Sequence, residues 1–527
     1  MEQIELSSFE KSTKFDQFNR EELIEKYETL EEEYYRTLKE NYRLKYKHLT
    51  EEQLNLVLEE HLAEMKSDKY GPKSERWKKP ANKKQKKAPK PRKKKPSERY
   101  PNVTVRDIPL TMDPAPGCGV CGKEMSDSGM TEDSEQLTVL PKKFEILRYK
   151  RSIYRCSCQS CMKTAPVPER IVPGSTYSDE MILDVVLSKY CDLIPIERYV
   201  QMASRGGLID LPPNSLIDLT HKFAFFVQEV YRSIKSEVMR SRVLHADETP
   251  HRMLEGSKKK HWYLWGFSTP EYCYLDCRDT RSGDVASDIL LNSACEVLVS
   301  DVYSGYSKAT RVVNIQRQRE KRVPLGNAYC NGHARRYFFK PRLKYTAAEF
   351  YLDHYHEIYQ LNTESKGKPP DEVLALRKKM LPYFEAMRAR AMEERPRYPT
   401  GNKYGKALNY FLENYDGLTM FLTEADVPID NNAQERLLRS HVVGRKTWYG
   451  THSEQGAETA AIIFSIVETC KLNGVNPREY FPSLVTAILN RKEVLTPVEW
   501  KKLSRPKQAC LKTPHPLHGE PGTPFLT

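Results

Sequence analysis

"RVLHADETP", residues 242–250, is an apolar run closed by an aspartate. Three stretches of the same character follow: "KHWYLWGFS" (260–268), "EYCYLDCRD" (271–279) and "EVLVSDVYSGY" (296–306). All are rich in Val, Leu, Tyr and Trp with turn residues between them, the pattern of strands. "SGDVASDILLNSA" (282–294) reads as a crossover helix, and "GNAYCNGHARRYF" (326–338) as a fifth strand running into basic residues. Three strands, a helix, a strand and further helices predict a mixed α/β layered sheet. Asp247 and Asp301 each close a strand, and ligands of open α/β sheets bind at the carboxyl ends of strands. If the first and fourth strands are neighbours, the two carboxylates project into one place, repel each other and require a cation. Ligation by carboxylate oxygens selects Mg²⁺ or Mn²⁺. Taken singly, each aspartate is better explained as a turn cap; it is the pair after matched strands that points to a metal site.

A third acid comes from "IDNNAQERLLRSHVVGRKTW", residues 429–448. Asn432, three residues before Glu435, has the spacing of a helix N-cap with its reciprocal partner. Arg439, four residues after Glu435, has that of a helical ion pair. Both describe plain architecture. A helix packed on the sheet could instead bring Glu435 to the two aspartates, and three carboxylates hold two ions about 3.5–4 Å apart, the spacing of phosphoryl-transfer sites. Glu248 is one rival, although neighbouring strand residues point to opposite faces. Asp430 is another, and the order of elements does not choose between it and Glu435.

Around this core the 527 residues suggest three or four domains. No apolar run is long enough to span a membrane, and the first residues lack the layout of a secretory signal; a cytoplasmic protein is expected. Leu23, Tyr27, Leu30, Tyr34, Leu38 and Tyr42 draw an apolar stripe on an N-terminal helix, read as a coiled-coil or docked amphipathic segment. The net charge of +13 is concentrated in "KKPANKKQKKAPKPRKKK" (78–95), which has eleven basic residues and no acid. Such a tract cannot bury a core and favours a polyanion such as nucleic acid; Lys83, Lys84, Lys93 and Lys94 are its candidate DNA contacts. Cys118 and Cys121 form one CxxC knuckle and Cys158 and Cys161 a second, together a tetrahedral thiolate site for Zn²⁺ in a small ribbon. Cys156 competes with Cys158. "DEMILDVVLSKY", "IERYVQMASR" and "PNSLIDLTHKFAFFV" are three apolar-periodic segments, a trio with the punctuation of a helix-turn-helix unit. Residues 345–425 read as mostly helical, "AETAAIIFSIVETCKLNG" as a buried helix ended by Gly474, and the tail from Thr496 as proline-rich and loose.

These motifs, with "YGPKSERW", "LSKYCDLIPIERYVQ" and "VGRKTWYGTHSEQGAETAAIIFSIVETCKLNG", resemble the insertion-sequence-66 type of DDE transposase over nearly everything except the basic linker and tail. The resemblance implies an RNase H-like catalytic core with a helical insertion before the Glu-bearing helix. It also implies that the catalytic, Mg²⁺- or Mn²⁺-binding acids are Asp247, Asp301 and Glu435. Their separations of 54 and 134 residues leave room for that insertion. The expected organisation is an N-terminal helix (1–68), basic linker (69–100), zinc ribbon (101–172) and helix-turn-helix-like bundle (173–238). The core's first part (239–345), the helical insertion (346–428), the catalytic-Glu and C-terminal helices (429–495) and the tail (496–527) follow. His333, Arg335, Arg336, Arg439, Arg445 and Lys446, with Arg436, become candidate DNA contacts; Trp448 is a core residue or a base-stacking platform. The expected activity is cleavage at the ends of a mobile element and joining to target DNA by a nucleoid-associated homo-oligomer, with or without accessory proteins of the same element. A transposase-derived DNA-binding regulator and a nuclease that cuts without joining are the alternatives.

Overall fold

The computed structural model describes residues 161–504 except 255–258, 260 and 400, parts of 95–157, and scattered residues of 29–58. The chain forms two compact units, one of residues 72–148 and one holding 1–71 and 149–527. In the smaller, a single helical turn at Pro96–Arg99 is pinned by Glu135, which accepts from the backbone N–H and the hydroxyl of Ser97, both at 2.8 Å. In the larger, strands β1 (Ile153–Arg155) and β2 (Met162–Thr164) pair antiparallel and bracket residues 156–161. Of the N-terminal stripe, only Leu38 and Tyr42 are among the described residues, both half-buried on a helical stretch at 36–44; Leu23, Tyr27, Leu30 and Tyr34 lie outside them.

Helices α1 (Asp179–Tyr190), α2 (Ile196–Arg205) and α3 (Pro213–Phe226) coincide with the three periodic segments, and α4 (Gln228–Met239) follows. The Ser178 hydroxyl caps α1, and Pro213 starts α3, where its missing N–H costs nothing. The sheet comprises β3 (Val243–Arg252), β4 (His261–Ser268), β5 (Cys273–Arg278), β6 (Val297–Ser300) and β7 (Gly326–Tyr329), in the order β5-β4-β3-β6-β7. β3, β4 and β5 run antiparallel, while β6 and β7 lie parallel to β3, so the sheet is mixed and its first and fourth predicted strands are neighbours. α5 (Gly283–Leu290) and α6 (Ser304–Arg319) precede β6 and β7. Their first turns meet backbone to backbone: a Cβ on Gly283 would strike the Gly305 carbonyl. That contact explains Gly283; the glycine of "SDVYSGY", Gly305, is required because a Cβ there would strike the Tyr303 ring.

The two edges of the sheet are covered differently. Beyond β7 lie α7 (Asn331–Phe339), α8 (Ala347–Glu364), α9 (Pro370–Glu394), α10 (Lys403–Glu413) and α11 (Tyr415–Thr419). Their core joins Val297, Val299 and Ala328 of the sheet to Phe338, Tyr351, Tyr355, Phe384, Tyr404 and Phe411, and the Phe338 and Tyr351 rings stack at 4.1 Å. After α12 (Asn432–Trp448), α13 (Glu454–Leu472) is buried on nearly every face and covers β5. Here side chains replace a missing strand. Ser465 Oγ accepts the Leu275 N–H at 2.9 Å, and Thr469 Oγ1 accepts that of Cys273 at 3.1 Å. Two of the edge strand's outward N–H groups are thereby satisfied internally.

α14 (Pro477–Leu489) and α15 (Pro497–Ser504) complete the chain's described part. Over residues 497–504, α15 corrects the expectation of a loose tail from Thr496; residues 505–527 lie outside the described residues. Thr496 and Glu499 form a reciprocal capping box, Pro497 opens the helix, and Trp500 Nε1 donates to Ser483 Oγ at 3.0 Å. No helix among the described residues is long and apolar enough to cross a membrane.

Candidate active site

Parallel pairing of β3 with β6 sets Val243 opposite Val297 and His245 opposite Val299. Two residues further along, Asp247 and Asp301 stand at the same level of adjacent strands. Asp247 Oδ1 accepts the Glu248 N–H at 2.9 Å; Asp301 Oδ1 accepts the Tyr303 N–H at 3.2 Å, an Asx turn leading into α6. Burial pushes the Asp247 carboxyl up to about 8, and the charges of Glu248, Asp301 and Glu435 push the same way. Burial also raises Asp301, against the opposing pull of His333, the Tyr303 N–H and Arg281.

Glu435 arrives on the first turn of α12, which is held to the sheet by Asn431. Its buried Oδ1 accepts from His245 Nδ1 at 2.8 Å, and its Nδ2 donates to the Ala246 carbonyl at 2.8 Å, beside Asp247. Its backbone N–H donates to Cys330 Sγ at 3.2 Å. Gly266, opposite Asp247 on β4, leaves room for the buried Gln434 of α12; a Cβ there would strike Gln434 Nε2. The expected capping arrangement is corrected: α12 begins at Asn432, its N-cap is Asn431, and Asp430 Oδ1 accepts the Asn432 N–H at 3.1 Å. The expected Arg439 pair is absent among the described residues. Glu435 Oε1 instead lies 3.7 Å from His333 Nδ1, and both atoms are buried without a hydrogen-bond partner. Asp247, Asp301, Glu435 and His333 thus approach from separate segments: Asp247 feels the charges of Asp301 and Glu435, and Asp301 that of His333, although the ligand atoms of the three acids do not all gather within 4.8 Å.

Residues 174–459, more than half of the chain, match the family described as the transposase IS66 family. The chain belongs to that family. Three uncharacterized proteins of Sinorhizobium fredii are similar to it. y4hP is 24% identical over 75% of this chain and 75% of its own length, y4jD 26% over 73% and 78%, and y4qI 25% over 67% and 68%. Membership in the IS66 family implies DNA as a partner and the use of divalent metal.

Within this IS66-family chain the rival acids are already occupied. The Glu248 side chain is 2% exposed; Arg281 donates to its Oε1 at 2.6 and 2.8 Å and the Tyr306 hydroxyl to its Oε2 at 2.5 Å. Asp430 Oδ2 accepts from Tyr359 of α8. Among the basic residues, Arg335 and Arg336 are half-buried on α7, and the Arg335 guanidinium lies over the Phe339 ring. Arg436, Arg439 and Lys446 are exposed. Arg439 and Lys446, four and eleven residues after Glu435, share its helical face. Arg445 is half-buried beside an imidazole pair: His251 Nδ1 of β3 and His441 Nε2 of α12 are 3.2 Å apart. Burial, then the Arg445 charge, pushes His251 down to about 4. Trp448 is half-buried, edge-on to Tyr190 and beneath the Lys189 ammonium. Lys83, Lys84, Lys93, Lys94, Cys118, Cys156 and Cys158 lie outside the described residues; Cys121 and Cys161 are exposed free thiols.

Sequence reasoning missed Asn431, Gly266, Gln434, Arg281 and Cys330. Only "DNNAQER" carried a signal, since an asparagine buried just before a helix is available to bond elsewhere.

Proposed function

We propose that this protein is a DNA transposase whose active site is the Asp247, Asp301 and Glu435 carboxylates, carried on an RNase H-like sheet with α8–α11 as its helical insertion. One observation carries the reading: three acids from distant segments converge, half-buried, with Glu435 Oε1 unpartnered and Asp247 held up near 8 by burial and neighbouring acids. Such a donor set fits hard divalent cations of the Mg²⁺ or Mn²⁺ type. When bound, these supply Lewis-acid activation of the attacking oxygen and stabilisation of the leaving oxygen in an in-line displacement. The chain's own contribution is rigidity. Strand register fixes the aspartates, Asn431 and the Gly266–Gln434 contact fix the approach of Glu435, and His333 offers an imidazole to a phosphate oxygen. Arg439 and Lys446 extend a basic track along the Glu435 face of α12 toward the DNA backbone. The two CxxC pairs would hold a structural Zn²⁺. Helices α1–α3 and the basic linker would add DNA contacts, and the N-terminal helix would pair subunits.

The test is purified full-length protein with element-end DNA, target DNA and Mg²⁺. Joined products are expected, and Asp247→Asn should abolish them while retaining binding. Cleavage without joining would make the protein a nuclease, and bound but intact DNA would make it a regulator.

A further inference from the structure

The unpartnered Glu435 oxygen also has neighbours of a different chemistry. Cys330, the N-cap of α7, and His333, in that helix's first turn, are three residues apart, which sets their side chains over one face. Cys330 Sγ, a His333 ring nitrogen and a Glu435 carboxylate oxygen all lie within 4.8 Å of one another. We propose that Cys330, His333 and Glu435 form a second metal site, selective for a thiophilic divalent cation such as Zn²⁺, which competes with the acid centre for Glu435.

Zinc takes sulfur, imidazole and carboxylate ligands at about 2.0–2.3 Å, and its open sites use three protein ligands plus a water or substrate oxygen. Donors around such an ion stand roughly 3.3–3.8 Å apart, so this trio closes by about 1 Å through side-chain rotation. The sulfur sets the selectivity, because Mg²⁺ and Mn²⁺ favour oxygen donors while zinc accepts thiolate and imidazole. The surroundings leave the sulfur approachable and aim one donor at it. The Asn431 N–H points at Sγ from a residue locked to β3, and Gly332 places no side chain against it, since a Cβ there would stand 3.4 Å away. Burial keeps the free thiol protonated, pushed up to about 12; a coordinating dication displaces that proton to solvent. A thiophilic ion that takes Glu435 Oε1 turns this carboxylate toward Cys330 and His333 and draws off its charge, which weakens the hold of the acid centre on a cation beside Asp247 and Asp301. That consequence rests on the proposed reading of the acid centre, whereas the binding does not.

Cobalt(II) is the probe, as a spectroscopic substitute for zinc. Metal-stripped full-length protein is titrated while the thiolate charge-transfer and visible bands are followed. Cys330→Ser and the half-exposed His333→Gln should each bind one Co²⁺ fewer per chain than the unaltered protein, with any binding at the CxxC pairs unchanged. Equal stoichiometry in all three overturns the site, and the His333 variant decides if Cys330→Ser misfolds. In Mg²⁺-dependent cleavage, micromolar Zn²⁺ should slow the unaltered protein about tenfold or more, and Cys330→Ser not at all relative to its own zinc-free rate. Equal inhibition of both overturns the competition. A protein that cleaves nothing overturns the transposase reading, and the cobalt count still decides the site.

Discussion

Asp247 and Glu248 are consecutive residues of β3, both withdrawn from water, yet they face opposite surroundings. Glu248 is enclosed by the Arg281 guanidinium and the Tyr306 hydroxyl, with both oxygens engaged. Asp247 meets Asp301 and Glu435, and its bond from the Glu248 N–H does not offset their charges. Helix α9 repeats the first pattern in Glu394, which takes hydrogen bonds from Tyr351, Tyr404 and Arg390. A buried acid whose lone pairs are matched holds the fold together. Acids gathered without a counter-charge hold repulsion that a proton or a cation relieves. This contrast separates architecture from chemistry among the acids of one strand.

The largest way to break the contrast is Asp247→Asn. Cleavage should fall roughly a thousand-fold or more, equivalent to several kcal/mol of lost charge stabilisation. The metal-free melting temperature should hold or rise above about pH 4, because the fold no longer has to keep that carboxyl protonated against its free value. A variant that still cuts DNA would remove Asp247 from the chemistry. Next is the pH dependence of the neutral pair His251–His441, which joins the same strand and helix. Both imidazoles are held below the free value of 6.5, His251 at about 4, so the unfolded chain takes up protons that the fold refuses. Stability from this pair is complete above about pH 6.5 and declines as pH falls toward 4, by a few kcal/mol at about 1.4 per unit. Melting curves should show that slope, and it should flatten when both residues become glutamine.

Glu248→Gln sharpens the comparison from the other side. It should cost about 1–3 kcal/mol by unpairing Arg281, visible in denaturant titration, whereas a matching loss in Asp247→Asn would erase the distinction. The smallest effect is expected for Gly266→Ala, about 1–2 kcal/mol of overpacking against Gln434. Adding Gln434→Ala should restore both stability and cleavage; no rescue would show that Gly266 serves another purpose.

The sheet was legible because its strands are apolar, spaced by turns and distinct in period from the helices around them. The positions of Asp247 and Asp301 follow from that pattern once β3 and β6 are adjacent. What holds the third acid in place was hidden. Asn431 and Asn432 are the same residue type side by side, and only the tertiary bonds to His245 and Ala246 show which one is buried. Gly266 sits inside an aromatic strand where nothing local marks an approaching helix. Cys330 reads as one more strand-end thiol until His333 and Glu435 surround it. The tail was misread for a different reason: its prolines outweighed the Thr496–Glu499 capping pair that the sequence already displayed.

The hydroxyls of Ser465 and Thr469 that satisfy β5 belong to a helix synthesised well after the strand they seal. A nascent chain that has emerged only through α11 therefore carries a bare, apolar β edge, the kind of template that invites pairing with other chains. Premature termination before α13 would yield a sticky fragment rather than a quiet remnant, and ribosome-associated chaperones would be most needed in that interval.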